Sequence, residues 1–262
     1  MSPGRRLELL RPRDLGALFR DSVGAYARNL PAFLAVGAAA VVPVELIVSG
    51  VGLGNLSGGY SSSTTLGQLT IDLAEEYLVI LPLVSAVVIH MLLALADGRR
   101  PPLGSTLVSG LESFQPMFFP VVLAAIGVVT GTLLFFVPGV WLAVRWYFIP
   151  QAVVLDGARG VAALRRSAAL VNGTWWRVFG IGVCGGLAGL IPGQFIEQGF
   201  NAWAKSADSA AIALAGEIVF LVVFSPFVGL FLTLLYFDLL ARRNLPSILP
   251  PVPPPPPDQT SH

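Results

Sequence analysis

The sequence predicts an all-α polytopic membrane protein with about six transmembrane helices. Its composition, the lengths of its apolar runs and the distribution of its arginines support this prediction. Of the 262 residues, 55% are hydrophobic and only 12% are charged, whereas about 25% of the residues in an average soluble domain are charged. The apolar residues gather into runs of about 20, the length that a helix needs to cross a hydrocarbon core about 30 Å thick.

Six hydrophobic segments define the predicted spans. They cover residues 32–53, 77–96, 117–137, 139–155, 177–196 and 211–238. The third and fourth segments are separated only by Pro138 and Gly139, so we expect a tight hairpin or one broken helix there. The fourth segment is short and contains Arg145 and Pro150. A tilted, kinked or re-entrant segment is therefore the alternative to a complete span.

Three stretches with helix-like spacing precede spans and are predicted to lie in the membrane interface. Apolar side chains recur at three- and four-residue steps in residues 14–29, 103–115 and 161–171. Each stretch ends in a turn signal, at Pro31, Pro116 and Gly173 respectively. The repeated pattern predicts three hairpin units, each introduced by an amphipathic interfacial helix.

The basic residues predict the orientation. Fourteen arginines fall in the flanks assigned to one side of a six-span topology, whereas the opposite flanks hold only Lys205. Because basic flanks remain in the cytoplasm, both termini are predicted to be cytoplasmic and the membrane to be the plasma (inner) membrane. The N-terminal region carries six arginines before the first span. It is too long and too charged for a typical signal peptide, and we expect it to be retained.

The predicted organisation is a cytoplasmic tail over residues 1–13, one integral membrane domain over residues 14–243 and a disordered tail over residues 244–262. Proline dominates the chain from Pro246 to Pro257, which removes backbone donors and favours an extended polyproline II conformation. We predict a solvated spacer, with a ligand for a proline-recognising partner as the alternative.

Ionisable side chains inside predicted spans are costly, by about 2.5 to 3.5 kcal/mol on insertion scales, and are candidate functional residues. Glu45, Arg145 and Glu217 are the main candidates. An ion pair of Arg145 with either acid would lower the cost of both charges, and the sequence does not select the partner. A proton or solute path and a packing clamp are both open interpretations. His90 is predicted near the cytoplasmic headgroups, and Asp238 at the cytoplasmic boundary in a capping or salt-bridge role.

Arginines on and beside the amphipathic stretches predict an anionic lipid partner, because each basic residue near an anionic surface contributes about 1 kcal/mol. The candidate lipid contacts are Arg20, Arg28, Arg165, Arg166 and Arg177. Tryptophans near the predicted span ends are expected to anchor at headgroup level, and these are Trp141, Trp146, Trp175 and Trp176.

Small residues in the fifth segment predict close helix packing. Two Gly-x-x-x-Gly patterns overlap there, from Gly182 to Gly186 and from Gly185 to Gly189. Such patterns bring helices together inside one chain or between copies. A homo-oligomer or a protein partner is therefore among the expected associations.

Sequence motifs for catalysis or for nucleotide or metal binding were not found. The chain has no Walker loop, no His-Glu-x-x-His and no Cys-x-x-Cys. With Cys184 as the single cysteine, an intrachain disulfide is excluded. We predict no cofactor, no metal, no nucleic-acid partner and no enzymatic activity.

Three groups of residues resemble a known family. They are Pro-Gly-Val-Trp-Leu-Ala-Val-Arg-Trp at 138–146 with Pro150, Ala-Leu-Arg-Arg-Ser at 163–167 with Gly-Thr-Trp-Trp-Arg at 173–177, and Tyr-Phe-Asp-Leu at 236–239 with Arg242. The pattern resembles the membrane domain of some glycerophosphoryl diester phosphodiesterases and of stand-alone bacterial proteins of unknown function. The resemblance implies the membrane architecture over residues 14–243. It does not imply the activity. In the fused enzymes the catalytic residues, histidines among them, belong to a separate soluble barrel, which has no counterpart here, and the only histidines of this sequence are His90 and His262.

Three classes of function are considered, and an intramembrane enzyme ranks last among them. The first is a non-enzymatic membrane scaffold or lipid-associated accessory module. The alternative is a transporter or a lipid- or solute-handling channel that uses Glu45, Arg145 and Glu217.

Overall fold

The computed structural model describes residues 9–51, 60, 66–98 and 103–243. Its regular structure over these residues is entirely helical. The helices are α1 (Leu15–Arg28), α2 (Leu30–Val51), α3 (Leu66–Glu75), a π-helical turn (Glu76–Ile80), α4 (Leu81–Ala96), α5 (Leu103–Leu134), α6 (Phe136–Arg145), α7 (Ile149–Asp156), α8 (Val161–Val171), α9 (Trp175–Ser206) and α10 (Ala210–Arg243). Residues 1–8 of the predicted tail over 1–13, the predicted tail over 244–262 and the basic pair Arg99 and Arg100 lie outside the described residues.

Five helices are long and apolar enough to cross a membrane, which confirms the predicted class of helical membrane protein. They are Leu30–Val48, Thr70–Ala96, Leu103–Leu134, Trp175–Ser206 and Ala210–Arg243. The predicted fourth segment is not among them, because it divides into the short helices α6 and α7 around a turn at residues 146–148. The sixth crossing and the three hairpin units therefore stay predictions.

Two of the three predicted turns are present. α1 begins where the Asp14 carboxylate accepts a hydrogen bond from the Ala17 N–H at 2.6 Å, and it ends at Asn29. Pro31 falls in the first turn of α2, where a missing N–H costs nothing. Between α8 and α9, Gly173 adopts a φ of 78°, in the left-handed region that glycine enters without strain.

The predicted break at Pro116 is wrong. α5 continues through Pro116 and Pro120 for 32 residues, so the predicted interfacial stretch and the third span form one helix. Met117 and Pro120 are buried, and packing of this kind lets a transmembrane helix tolerate proline. The break expected at Pro138 lies instead at Phe135, whose backbone is extended. Pro138 is in the first turn of α6, where proline is accepted.

Helix α1 is amphipathic as predicted, but its apolar face packs against protein. The Phe19 and Phe231 rings lie 5.0 Å apart, and the Tyr26 and Phe227 rings lie 5.7 Å apart. The Tyr26 hydroxyl donates to the Val223 carbonyl at 2.6 Å, and burial raises the pKa of Tyr26 to about 12, so the hydroxyl remains a donor. α1 therefore runs lengthwise along α10 and does not lie flat across the end of the bundle.

The glycine-bearing face of α9 packs inside the chain. A Cβ at Gly185 would collide with the Phe231 ring of α10, and one at Gly193 would collide with Phe220. Gly189 faces Phe224, whereas nothing lies close to Gly186. Of the two predicted settings for this pattern, the structure shows the one within the monomer.

Candidate functional site

A buried carboxylate joins three elements at one end of the bundle. Asp238 of α10 is fully buried, with 0% exposure. Its side chain accepts hydrogen bonds from the Arg13 backbone N–H at 2.6 Å, from Arg242 Nε at 2.9 Å and from Arg177 Nη2 at 3.0 Å. The two ion pairs within this set agree with the salt-bridge role that the sequence predicted for Asp238.

The segment before α1 is held by the same cluster. The carbonyl of Arg13 accepts from Arg177 Nη2 at 2.6 Å and from Arg242 Nη2 at 2.7 Å. The Arg13 guanidinium, only 1% exposed, pairs with Asp21 at 2.8 Å. Burial acts to raise the pKa of Asp21, but hydrogen bonds from Arg13 and Arg11 outweigh it and hold the pKa below its ordinary value. We name Arg13, Asp21, Arg177, Asp238 and Arg242 the arginine clamp.

A second carboxylate fastens α7 to α8 and α10. The Tyr236 hydroxyl donates to Asp156, and Arg166 Nε donates to the same oxygen at 2.6 Å. The hydrogen bond to Asp156 raises the pKa of Arg166. Arg166 is therefore committed to an internal ion pair.

Helix α8 also fixes the turn between α6 and α7. The Ser167 hydroxyl donates to the Arg145 carbonyl at 2.8 Å and accepts from the Phe148 N–H at 3.1 Å. Ser167 is fully buried. This contact sets the position of the last turn of α6, which carries the Arg145 side chain.

An open cleft of about 550 Å³ lies between α5, α6 and α8. Its lining is apolar except for two arginines and the indole nitrogens, and consists of Leu123, Ile126, Gly127, Trp141, Leu142, Arg145, Trp146, Val161, Leu164, Arg165 and Ala168. The Arg145 guanidinium lies 4.4 Å from the centre of the Trp141 ring, within the range of a cation–π contact. Among the described residues, neither Arg145 nor Arg165 forms an ion pair with a carboxylate.

An aromatic groove of about 370 Å³ continues from this cleft, with Trp141 in the wall of both. Trp175 and Trp176 of α9 form its other side. The Trp175 Nε1–H donates to the Trp141 carbonyl at 3.3 Å, while Trp176 is 78% exposed. Indole rings at such a surface suit the headgroup level of a membrane.

The expected pairing of Arg145 with Glu45 or Glu217 is not formed. Glu45 and Glu217 instead lie within electrostatic range of each other and of Glu75. The other intramembrane candidate, His90, is half-buried and hydrogen-bonds through Nε2 to Ser113 of α5 at 3.0 Å.

The five predicted lipid contacts separate into two groups. Arg20, Arg28 and Arg165 are exposed, as a lipid contact requires. Arg166 and Arg177 are ion-paired with Asp156 and Asp238. Only Arg165 of the five lines the cleft.

Several site residues were missed by the sequence analysis, namely Arg13, Asp156, Ser167 and Glu75. Nothing local distinguishes Arg13 from the other N-terminal arginines, since its partner Asp238 is 225 positions away. Asp156 could have been found, because it directly follows a predicted span and would be costly there without a partner.

Comparison with known proteins gives one match. A family profile with the description "Domain of unknown function (DUF7847)" matches residues 61–239, which is more than half of the chain. No curated protein and no solved structure matches the chain. The resemblance to the phosphodiesterase membrane domain therefore stays a prediction.

Proposed function

We propose that this chain, which belongs to the DUF7847 family of domains of unknown function, is a non-enzymatic integral membrane module that binds an anionic lipid in the cleft between α5, α6 and α8. The observation that carries the proposal is the presence of two arginines without carboxylate partners, Arg145 and Arg165, at an otherwise apolar cleft. Arg166 and Arg177 of the same region are instead neutralised by internal acids.

The cleft suits an amphiphile with a phosphate headgroup. Guanidinium groups bind phosphate oxygens through paired N–H donors, and Arg145 and Arg165 provide two such groups. Leu123, Ile126 and Val161 offer aliphatic walls for an acyl chain. Trp141 and Trp146 add amphipathic rings that favour the boundary between headgroup and chain.

The proposed topology has six crossings of the plasma membrane, with residues 139–155 as a broken segment and both termini in the cytoplasm. In this arrangement the arginine clamp lies at the cytoplasmic end. The gathering of Arg13, Arg177 and Arg242 at one end of the bundle supports it, because basic residues concentrate on the cytoplasmic side.

The alternative of one transport path through Glu45, Arg145 and Glu217 has less support. Arg145 is stacked on Trp141 and joined to α8 through its carbonyl, whereas the two acids lie together elsewhere. We therefore treat the acids as a separate feature below.

Lipid titration of the purified protein tests the proposal. Phosphatidylglycerol and phosphatidylcholine are added in mild detergent, and bound lipid is counted by native mass spectrometry. We expect preferential binding of phosphatidylglycerol, weakened roughly fivefold by Arg165→Gln or Arg145→Gln, which corresponds to about 1 kcal/mol per charge.

Arg159→Gln is the matched control, because Arg159 is exposed and does not line the cleft. The control should bind as the parent does. Equal losses in all three variants would show only general charge attraction and would contradict a site in the cleft. Equal binding of the two lipids would contradict it as well.

A further inference from the structure

A group of acidic residues converges from separate helices, away from the arginine clamp. Glu45 belongs to α2, Glu75 ends α3, and Glu217 belongs to α10. Glu217 precedes Asp238 by 21 residues on the same helix, which corresponds to about 31 Å at 1.5 Å per residue. The two features are thus separated by about the thickness of a hydrocarbon core.

These carboxylates are near enough to interact. Glu45 experiences the charges of Glu217 and Glu75, and Glu75 experiences those of Glu217 and Asp72. Glu76, at the start of the π-helical turn, adds to the charge around Glu45. Like charges that interact in a medium of low polarity repel one another.

Two of the acids are buried without compensation. Glu45 is 5% exposed and Glu75 is 8% exposed. The Glu75 Oε1 atom is buried and has no hydrogen-bond partner. Within the described part of the chain, no arginine or lysine forms an ion pair with any acid of this group. Burial of unpaired carboxylates is expensive, so these acids either bind protons or are met by a positive charge from elsewhere.

The spacing of the acids distinguishes between kinds of cation. The described residues contain no group of three or more Asp, Glu, His or Cys side chains that could hold a metal ion. The acids are spread over α2, the α3 end with its π-helical turn, and α10. A cation with several nitrogens can contact carboxylates that are spread over separate helices.

We propose that Glu45, Glu75 and Glu217 form a binding site for an organic cation with more than one ammonium group, such as a polyamine. Its ammonium groups meet Glu45 and Glu75 inside the site and Glu217, which is exposed, at the mouth. The site is independent of the lipid cleft and survives failure of the lipid proposal.

Thermal unfolding of the purified full-length protein in a neutral detergent tests this site. Spermidine is added at constant ionic strength, with sodium and magnesium chloride in parallel. We expect spermidine to raise the Tm of the parent protein through selective binding to the folded state. Glu45→Gln and Glu75→Gln should weaken the apparent affinity about tenfold or more, since each removes a charged hydrogen-bond acceptor.

Two variants complete the design. Glu217→Gln changes an exposed residue, so it tests the site even if a buried substitution disturbs folding. Glu112→Gln in α5 is the matched control, because it removes an exposed carboxylate outside the group, and it should respond to spermidine as the parent does.

Three results would overturn the proposal. One is a parent Tm that spermidine does not change, which would mean that protons compensate the buried acids. Another is an equal or larger effect of magnesium, which would indicate a metal site. The third is an undiminished spermidine response in the Glu45, Glu75 and Glu217 variants.

Discussion

The backbone N–H of Arg13 donates to the carboxylate of Asp238, 225 positions along the chain, at 2.6 Å. The carbonyl of Arg13 is held at the same time by Arg177 and Arg242, both of which also bind Asp238. One buried acid thus organises the entry to α1, the start of α9 and the end of α10. The charged groups of the arginine clamp pair with one another. The cleft arginines, Arg145 and Arg165, differ because they form no ion pair with a carboxylate of the described residues.

Removal of this acid should destabilise the protein. Asp238→Ala leaves Arg177, Arg242 and the Arg13 backbone without their shared acceptor, and breaking a buried ion pair costs about 3–5 kcal/mol. We expect a value near the lower end, because Arg177 and Arg242 are 30% and 36% exposed and water can reach them. Chemical unfolding or the abundance of the protein in membranes measures the loss. An Asp238→Ala protein as stable as an exposed-site control such as Glu112→Gln would contradict the clamp.

Arg11 and Arg13 provide a matched pair, since both bind the same oxygen of Asp21, at 2.5 Å and 2.8 Å. The Arg13 side chain is 1% exposed, whereas that of Arg11 is 47% exposed. Arg13→Gln should cost about 3 kcal/mol, because it breaks a buried ion pair and removes the donor to the buried Leu9 carbonyl. Arg11→Gln should cost less than about 1 kcal/mol, as for other surface ion pairs. Equal effects of the two substitutions on the free energy of unfolding would refute this interpretation.

The ion pairs of Asp21 lead us to expect that the stability of the protein depends on pH in the acid range. Its pKa lies below the ordinary value of 3.8, so its ion pairs contribute full stability above that value and lose it as the pH falls through the lower folded-state pKa. We expect the parent to lose stability below about pH 3.8 more steeply than Asp21→Asn. Unfolding curves between pH 2 and pH 6 provide the comparison, and parallel curves for the two proteins would exclude this contribution.

The sequence was informative where the signal is local. Gly173 marked the turn before α9, and the spacing of residues 161–171 predicted α8. The failures are non-local. Pro116 lies inside α5 because its neighbours pack against α4. The contact of α1 with Phe231 and Phe227 of α10 joins residues about 200 positions apart, so no local pattern could predict it.

The same distinction applies to the candidate sites. Arg145, Arg165, Glu45 and Glu217 were singled out because charged residues in or beside apolar segments are conspicuous. Their grouping was not predictable, since it depends on how α2, α6, α8 and α10 meet. Glu75 was missed for another reason. The predicted second segment began at residue 77, whereas the helical span begins at Thr70, so Glu75 was counted as part of a loop.

The hydroxyl of Tyr236 should contribute to the position of α7. Tyr236→Phe keeps the ring in its place beside Phe148 but leaves the buried Asp156 with only Arg166. Loss of a hydrogen bond to a charged group costs about 1.5–3 kcal/mol. Tyr147→Phe is a suitable control for the loss of a phenolic hydroxyl. A Tyr236→Phe protein no less stable than this control would show that Arg166 alone holds Asp156.

The orientation of the membrane domain predicts where the first long loop lies. The loop around Gly59 carries no basic residue over 58–65, whereas arginines lie before the first predicted span and after the second. The loop between these two spans should therefore be outside the cytoplasm. A fusion after Gly59 to alkaline phosphatase, which is active only outside the cytoplasm, should be active, and the same fusion after Gly98 should be inactive. The two sites are a matched pair on opposite ends of the same span. Activity after Gly98 and none after Gly59 would invert the topology and place the arginine clamp on the outer face.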